Sequence, residues 1–529
     1  MADAPKGLKL SDIRNYFSAL SYKERCAVAA RATMVLFCWL IMFVMSKKLS
    51  INEYQLFLSV ISLFGMGLFF NSVLFLIFYW AIFLPLTLDL HLFLAYGLSL
   101  HSFGKQLFAI LCDTNKIEII EYLPKITFFE WISVISMFSA SVCVLLFKPQ
   151  PIKIPKEWKR TIFFVLFAVY PLTYIAHIYP IIQSKFSAEE NELIAKALAF
   201  HFNPAKQNKA DTVVVLIGES HRQEEFGPAF DKYASEFQSL YRFSDMISPF
   251  AGTLNTVPII LSRKKGDNAH NFFYEKSLFS LFEEAGYSTY FVQYTEISSE
   301  LNKLSFIYRE ANHFVKYENK EKKEATDEGI YSVLEDILNN GERKKLIVIK
   351  MIGVHIDFIR RYPDPNISSL QRFWFALKSR TKEREMYHYN KAISYSAGVI
   401  ANIMKKIEKR PEPSLLFFSS DHGICIFDKG SFQLPPNCRN AFHIPAMILL
   451  NPALSAITSQ QAKNNLDCNQ DKPLTEEYDF ETIAALAGIS YPTADKQYEL
   501  TGQCDPLHGK KRLVSTGSIK EKRTFYEDL

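Results

Sequence analysis

Two hydrophobic patterns divide this chain near residue 183. Before that point apolar residues run together in stretches of about 20, the length a helix needs to cross a bilayer. The stretches 27–46, 55–79, 81–100, 128–147 and 161–181 predict five spans. Beyond it the apolar runs shorten and become rich in β-branched residues. Segments 212–218 (TVVVLIG), 289–294 (TYFVQY), 346–353 (LIVIKMIG), 415–420 (LLFFSS) and 446–451 (AMILLN) read as strands covered on both faces. Helical patterns lie between them, over 276–285 and 389–408. The expected fold is an N-terminal α-helical transmembrane bundle over 1–183, a linker over 184–208, and an α/β domain over 209–529. That domain is expected to be largely parallel, with helices on both faces of its sheet.

Basic residues orient the predicted bundle. Lys6, Lys9, Arg14, Lys23 and Arg25 precede the first span, and Lys148, Lys153, Lys156, Lys159 and Arg160 separate the last two. Short loops rich in Lys and Arg stay cytoplasmic. The reading is therefore a multi-pass protein of a bacterial inner membrane, with a cytoplasmic N-terminus and a periplasmic α/β domain. The first apolar run starts too late for a signal peptide. Cysteine usage agrees, because Cys425, Cys438, Cys468 and Cys504 would share an oxidising compartment. Four cysteines allow three pairings, and Cys425–Cys438 with Cys468–Cys504 close the most local loops. No CxxC spacing supports a thiolate zinc site instead. The net charge of +5 over 529 residues gives no case for nucleic-acid binding, which shows a concentrated basic face.

In open α/β sheets ligands bind just beyond the carboxyl ends of the strands. Glu219 and Ser220 follow the first strand, His355 follows Gly353, and Asp421 and His422 follow Ser420. Two carboxylates and an imidazole suit zinc, or less specifically manganese. An isolated Asp-His pair is more often a cap and a surface histidine. Its place after an apolar strand, matched by Glu219, reverses that preference. Zinc with an open position activates a nucleophile and offsets charge on a phosphoryl oxygen. Segment 248–263 (SPFAGTLNTVPIILSR) supplies hydroxyls ahead of a helix. Thr253 and Thr256 both qualify as nucleophiles there, and each could equally be a plain N-cap.

These motifs, in this order behind five apolar stretches, resemble the phosphoethanolamine transferases of the alkaline phosphatase/sulfatase superfamily. The resemblance is carried by VVVLIGES, KSLFSLFEEAGYSTYFV, IGVHIDFIRRYP and SSDHG. It implies that Glu219, Thr253, Asp421 and His422 ligate zinc, and that Thr253, in T-x-x-T-V-P, is the nucleophile. It also implies that His355 helps bind the phosphoryl group or a second metal, and that Thr114 and Glu118 lie on a loop approaching a lipid substrate. The chain departs from the family at Ile424, where a carboxylate is usual, and at His355-Ile-Asp, where the family has His-Gly-Pro. A later family histidine has no match near 433–436, and His443 is the alternative.

The resemblance implies a ping-pong transfer of phosphoethanolamine from phosphatidylethanolamine to an envelope glycolipid or glycan, lipid A or a lipopolysaccharide core. The absence of cysteines flanking Thr253 leans toward a core sugar. A sulfatase or phosphatase of the same superfamily, a phosphoglycerol transferase and a non-catalytic membrane scaffold are the rivals. Retention of Glu219, Thr253, Asp421 and His422 speaks against the last.

Overall fold

The computed structural model describes residues 20–49, 128–147 and 188–529, together with parts of 72–80; its longer interruptions are 266–274, 295–303, 318–325, 372–380, 429–437 and 516–522. The chain divides into two compact units, the second containing Phe186–Leu529.

In the first unit, α1 (Tyr22–Leu49) and α2 (Phe128–Phe147) fall on two of the predicted spans. The five-span bundle is nevertheless corrected, because among the described residues no helix is long and apolar enough to cross a membrane. The first turns of α1 carry Lys23, Glu24, Arg25 and Arg31, and Arg31 is buried, donating to Ser72 Oγ at 2.8 Å. In α2 the apolar run is interrupted by Glu130 and four serines. The multi-pass inner-membrane placement, the cytoplasmic N-terminus and the periplasmic domain rested on counting spans, and they are withdrawn with it. Stretches 81–100 and 161–181, and most of 55–79, lie outside the described residues.

The second unit is built on an eight-stranded sheet. Its strands are β1 (Thr212–Gly218), β2 (Leu240–Ile247), β3 (Ser288–Gln293), β4 (His313–Lys316), β5 (Lys345–Lys350), β6 (Ser414–Ser420), β7 (His443–Leu450) and β8 (Leu474–Thr475). The order across the sheet is β4-β3-β5-β1-β6-β7-β2-β8. Strands β4, β3, β5, β1 and β6 pair in parallel, whereas β7 runs antiparallel to both β6 and β2. The sheet is therefore mixed, which corrects the expected largely parallel arrangement. After its first residue, His443, strand β7 is apolar and buried on both faces. Continuous apolar character reports burial rather than direction, so it could not reveal the reversal.

Strand periodicity splits the core into two layers. Val213, Val215, Ile217, Val348 and Phe417 join one cluster; Val214, Leu216, Ile349, Leu416 and Phe418 join the other. The second layer is covered by α3 (Gln223–Ala234), through Phe226 and Phe230. The first is covered by α4 (Thr253–Leu261) and α5 (Leu278–Glu284), through Val257, Ile260, Phe279 and Phe282. The long α6 (Lys382–Glu408) adds Ile393, Ile400 and Met404 to the second layer, and α7 (Asp479–Leu486) adds Phe480 and Ile483 to the first. Each such buried side chain contributes about 1.5–3 kcal/mol relative to exposure. Thr381 caps α6 by accepting from Arg384 N, which starts the helix seven residues before the predicted 389–408 segment.

Two disulfides, Cys425–Cys438 and Cys468–Cys504, tie the domain together, the pairing that local loop closure favours. The second closes the longer loop, a separation of 36 residues against 13. Because loop-closure entropy grows with length, the double variant Cys468→Ser/Cys504→Ser should lose about 3–4 kcal/mol of stability. Urea unfolding of the oxidised proteins measures it, and an unchanged midpoint would contradict the assignment.

Candidate metal centre

Register brings the centre together. In the parallel ladders Ile217 lies beside Lys350 and Gly218 beside Ser420. The chain beyond β1, the last residue of β5 and the chain beyond β6 therefore emerge at one level. Glu219 leaves β1, Asp421 and His422 leave β6, and the three offer ligand atoms within 4.8 Å of one another. Asp421 is fully buried and Glu219 nearly so.

Each side chain is held by partners that leave a ligand atom facing the cluster. Asp421 Oδ1 accepts from the backbone N–H of Ser220 (3.2 Å) and of His422 (2.7 Å), while Oδ2 turns toward Thr253. Glu219 Oε1 accepts from Ser220 Oγ at 2.7 Å. His422 Nδ1 lies 2.6 Å from the Gly423 carbonyl. A carbonyl only accepts, so Nδ1 carries the proton and Nε2 keeps its lone pair. That nitrogen lies 3.4 Å from Glu219 Oε1 and 3.4 Å from Thr253 Oγ1.

Of the two candidate threonines only Thr253 reaches this cluster. It is the first residue of α4, and its Oγ1 lies 2.7 Å from Asp421 Oδ2 and 3.1 Å from Glu219 Oε2. Thr256 is fully buried and donates back to the Gly252 carbonyl at 2.7 Å, so it serves its own helix. His355 is exposed on the same rim, beyond β5, and close enough for its charge to act on Glu219. Ile424, where the resembled family has a carboxylate, is packed into the core. His443 sits in the β7–β2 ladder with Nε2 2.9 Å from the Ser244 carbonyl, a structural position. Thr114, Glu118 and 433–436 lie outside the described residues.

The centre also contains a residue that the strand-end rule does not select. Lys350 Nζ donates to Glu219 Oε2 at 2.8 Å, Asp421 Oδ2 at 3.0 Å and the Gly218 carbonyl at 3.0 Å. Burial pushes the Glu219 carboxyl up, but the charges around it, the Lys350 ammonium foremost, outweigh burial and hold the group well below the usual carboxylate range. Burial alone would lower the Lys350 ammonium; Asp421 and Glu219 overcome it and hold the group above its ordinary value. The signal was visible in the sequence as a single lysine in an apolar run. The run continues past it as Met351-Ile352-Gly353, so the strand appeared to end later than β5 does.

The β5 exit is fixed from beneath. Buried Asp327 accepts from Tyr317 Oη (2.6 Å) and from the N–H groups of Ile352 and Gly353 (2.9 Å each). Gly353 has φ +56°, and an added Cβ would come within 2.7 Å of the Glu219 carbonyl oxygen. Asp327→Ala leaves the buried Gly353 amide without its acceptor and the Ile352 amide with only its 3.2 Å bond to Tyr317 Oη, and should cost about 2–3 kcal/mol. Asp327→Asn, which keeps one acceptor oxygen, should cost less. Denaturant unfolding of the two variants checks the order.

The donor set of two carboxylates, one imidazole with its lone pair inward, and one hydroxyl fits zinc. Residues 211–489, more than half of the chain, match the sulfatase family model. The chain belongs to the sulfatase family. It is 21% identical to phosphoethanolamine transferase EptC of Escherichia coli K12 over 74% of this chain and 76% of that protein. Its fold is shared with the C-terminal periplasmic domain of E. coli EptC in complex with Zn (TM-score 0.52, 20% identity, 62% of this chain and 95% of that one). It is also shared with the integral membrane protein lipooligosaccharide phosphoethanolamine transferase A of Neisseria meningitidis (TM-score 0.56, 16% identity, 90% of this chain and 98% of that one).

Proposed function

We propose that this enzyme transfers phosphoethanolamine from phosphatidylethanolamine to a hydroxyl or phosphate oxygen of a glycolipid or glycan, through a covalent intermediate on Thr253. The observation that carries the reading is the position of Thr253 Oγ1, 2.7 Å from Asp421 Oδ2 at the start of α4. The hydroxyl has a carboxylate to receive its proton, and the helix N-terminus favours the anionic group it acquires.

Glu219, Asp421, His422 and Thr253 would hold zinc, which when bound supplies a Lewis acid that makes the threonine oxygen nucleophilic and offsets charge on the phosphoryl oxygens. In the first half-reaction Thr253 Oγ bonds to phosphorus, the bond from phosphorus to the glycerol oxygen breaks, and diacylglycerol leaves with a proton. In the second, an acceptor oxygen bonds to phosphorus, the bond to Thr253 Oγ breaks, and the threonine recovers a proton. His355, on the rim, is assigned to the phosphoryl group. The resemblance alone assigns Thr114 and Glu118 to the lipid. The lack of cysteines beside Thr253 favours a lipopolysaccharide core sugar over lipid A as acceptor.

Incubation of the purified protein with phosphatidylethanolamine, followed by intact-mass analysis and peptide mapping, tests the reading. The expected result is one adduct of phosphoethanolamine mass on Thr253. Absence of an adduct together with release of free phosphoethanolamine, or with hydrolysis of a sulfate ester supplied in its place, would identify a hydrolase and overturn it.

A further inference from the structure

We infer that Lys350 is a positioning residue that sets the charge of the metal centre, making it more receptive to an anionic phosphodiester at the cost of a weaker hold on zinc. The turnover part rests on the transfer reading above; the metal-binding part does not.

Leu346, Ile347, Val348 and Ile349 are fully buried apolar residues, and an apolar residue after them would have continued the pattern. A buried ammonium is costly unless paired and fully hydrogen-bonded. Lys350 meets that condition within the centre itself. An ammonium has three N–H donors, and the three acceptors within 3.0 Å are Glu219 Oε2, Asp421 Oδ2 and the Gly218 carbonyl. The group is therefore fixed in orientation.

The same two carboxylate oxygens also face Thr253 Oγ1. Lys350 thus restrains the oxygens that define the nucleophile's position. It acts through Glu219 and Asp421, and is not assigned a bond to the substrate. Its charge has a second effect. Two carboxylates alone would present two negative charges; with Lys350 between them the set presents one. A phosphodiester substrate is itself an anion, and a less negative centre repels it less. The same positive charge repels a divalent cation bound to those carboxylates. Lys350 should therefore act with opposite sign on metal affinity and on transfer. A lysine present only to neutralise buried acids would not behave in this way, since its loss would loosen the site and weaken both.

The test uses the full-length protein with Lys350→Met and Lys350→Arg. Zinc affinity is measured by competition with a chromophoric chelator, and transfer at saturating zinc. Lys350→Met should bind zinc about tenfold or more tightly than wild type and transfer about a hundredfold more slowly, mainly through kcat. Lys350→Arg keeps the charge, so its zinc affinity should stay near wild type while transfer is partly restored. Equal or weaker zinc binding by Lys350→Met overturns the inference, as does unchanged transfer in an active system. If Lys350→Met lacks a cooperative thermal transition, Lys350→Gln is read on the same two axes. Should wild type itself fail to transfer phosphoethanolamine, the transfer reading falls, and the zinc titration alone decides the role of Lys350.

Discussion

Replacing Thr253 by alanine should abolish the covalent adduct and reduce transfer by about a thousandfold or more, a loss of at least about 4 kcal/mol of transition-state stabilisation. The size follows from what the hydroxyl does. Among the described residues it is the one hydroxyl oxygen bonded to both Asp421 and Glu219, at 2.7 and 3.1 Å, and it also lies 3.4 Å from His422. Thr256 cannot replace it, because its hydroxyl is committed to the Gly252 carbonyl within its own helix. Thr253→Ser restores the oxygen and should restore a detectable adduct, at a reduced rate because serine lacks the methyl group that limits χ1. Thr256→Ser should label at Thr253 as wild type does. An adduct persisting on Thr253→Ala would move the nucleophile elsewhere.

Gly423→Ala should be the most damaging single methyl group in the site, costing about 4 kcal/mol or more and removing measurable zinc binding. A Cβ at Gly423 would lie 2.0 Å from the backbone oxygen of Asn440. Neither side can move aside easily. Gly423 N donates to the Ala441 carbonyl at 2.9 Å and Ile424 N to the Asn440 carbonyl at 3.1 Å, and the Cys425–Cys438 disulfide ties the two segments together. Any shift passes directly to Asp421 and His422, since His422 Nδ1 is oriented by the Gly423 carbonyl. Thermal unfolding and zinc titration of the variant give the two readouts. A folded variant with normal zinc affinity would show that the 438–441 turn yields more readily than its hydrogen bonds imply.

These expectations concern residues of unequal legibility. Glu219, Asp421 and His422 were readable because each follows a β-branched or aromatic apolar run, and the ends of parallel strands converge. The choice of Thr253 over Thr256 was not readable from composition, since both precede or begin the same helix; the resemblance favoured Thr253, and only three-dimensional contact separates the two. Lys350 was obscured because apolar residues continue beyond the true end of β5. Strand β2 escaped notice for a related reason. Its Arg242 and Asp245 break the apolar pattern, yet Arg242 pairs with Asp231 and Asp245 with Arg512, each at a partly exposed position. The direction of β7 depends on connections that local pattern does not encode. Of the N-terminal stretches only α1 and α2 are fully described, and there the hydropathy reading weighed apolar length without the charges and serines that the two helices contain.

The shared level of Ile217, Lys350 and Ser420 across β5, β1 and β6 has a consequence for how such a centre can change over time. The spacing of the strand exits is set by main-chain pairing, about 4.8 Å from strand to strand, and main-chain pairing does not depend on which side chains the strands carry. The ruler that measures the centre is thus separate from the loops that surround it. Those loops can be rewritten, lengthened or exchanged while the ligand atoms keep their distances. A scaffold of this kind lends itself to trading one substrate for another by loop replacement, with the ligand set carried over unchanged.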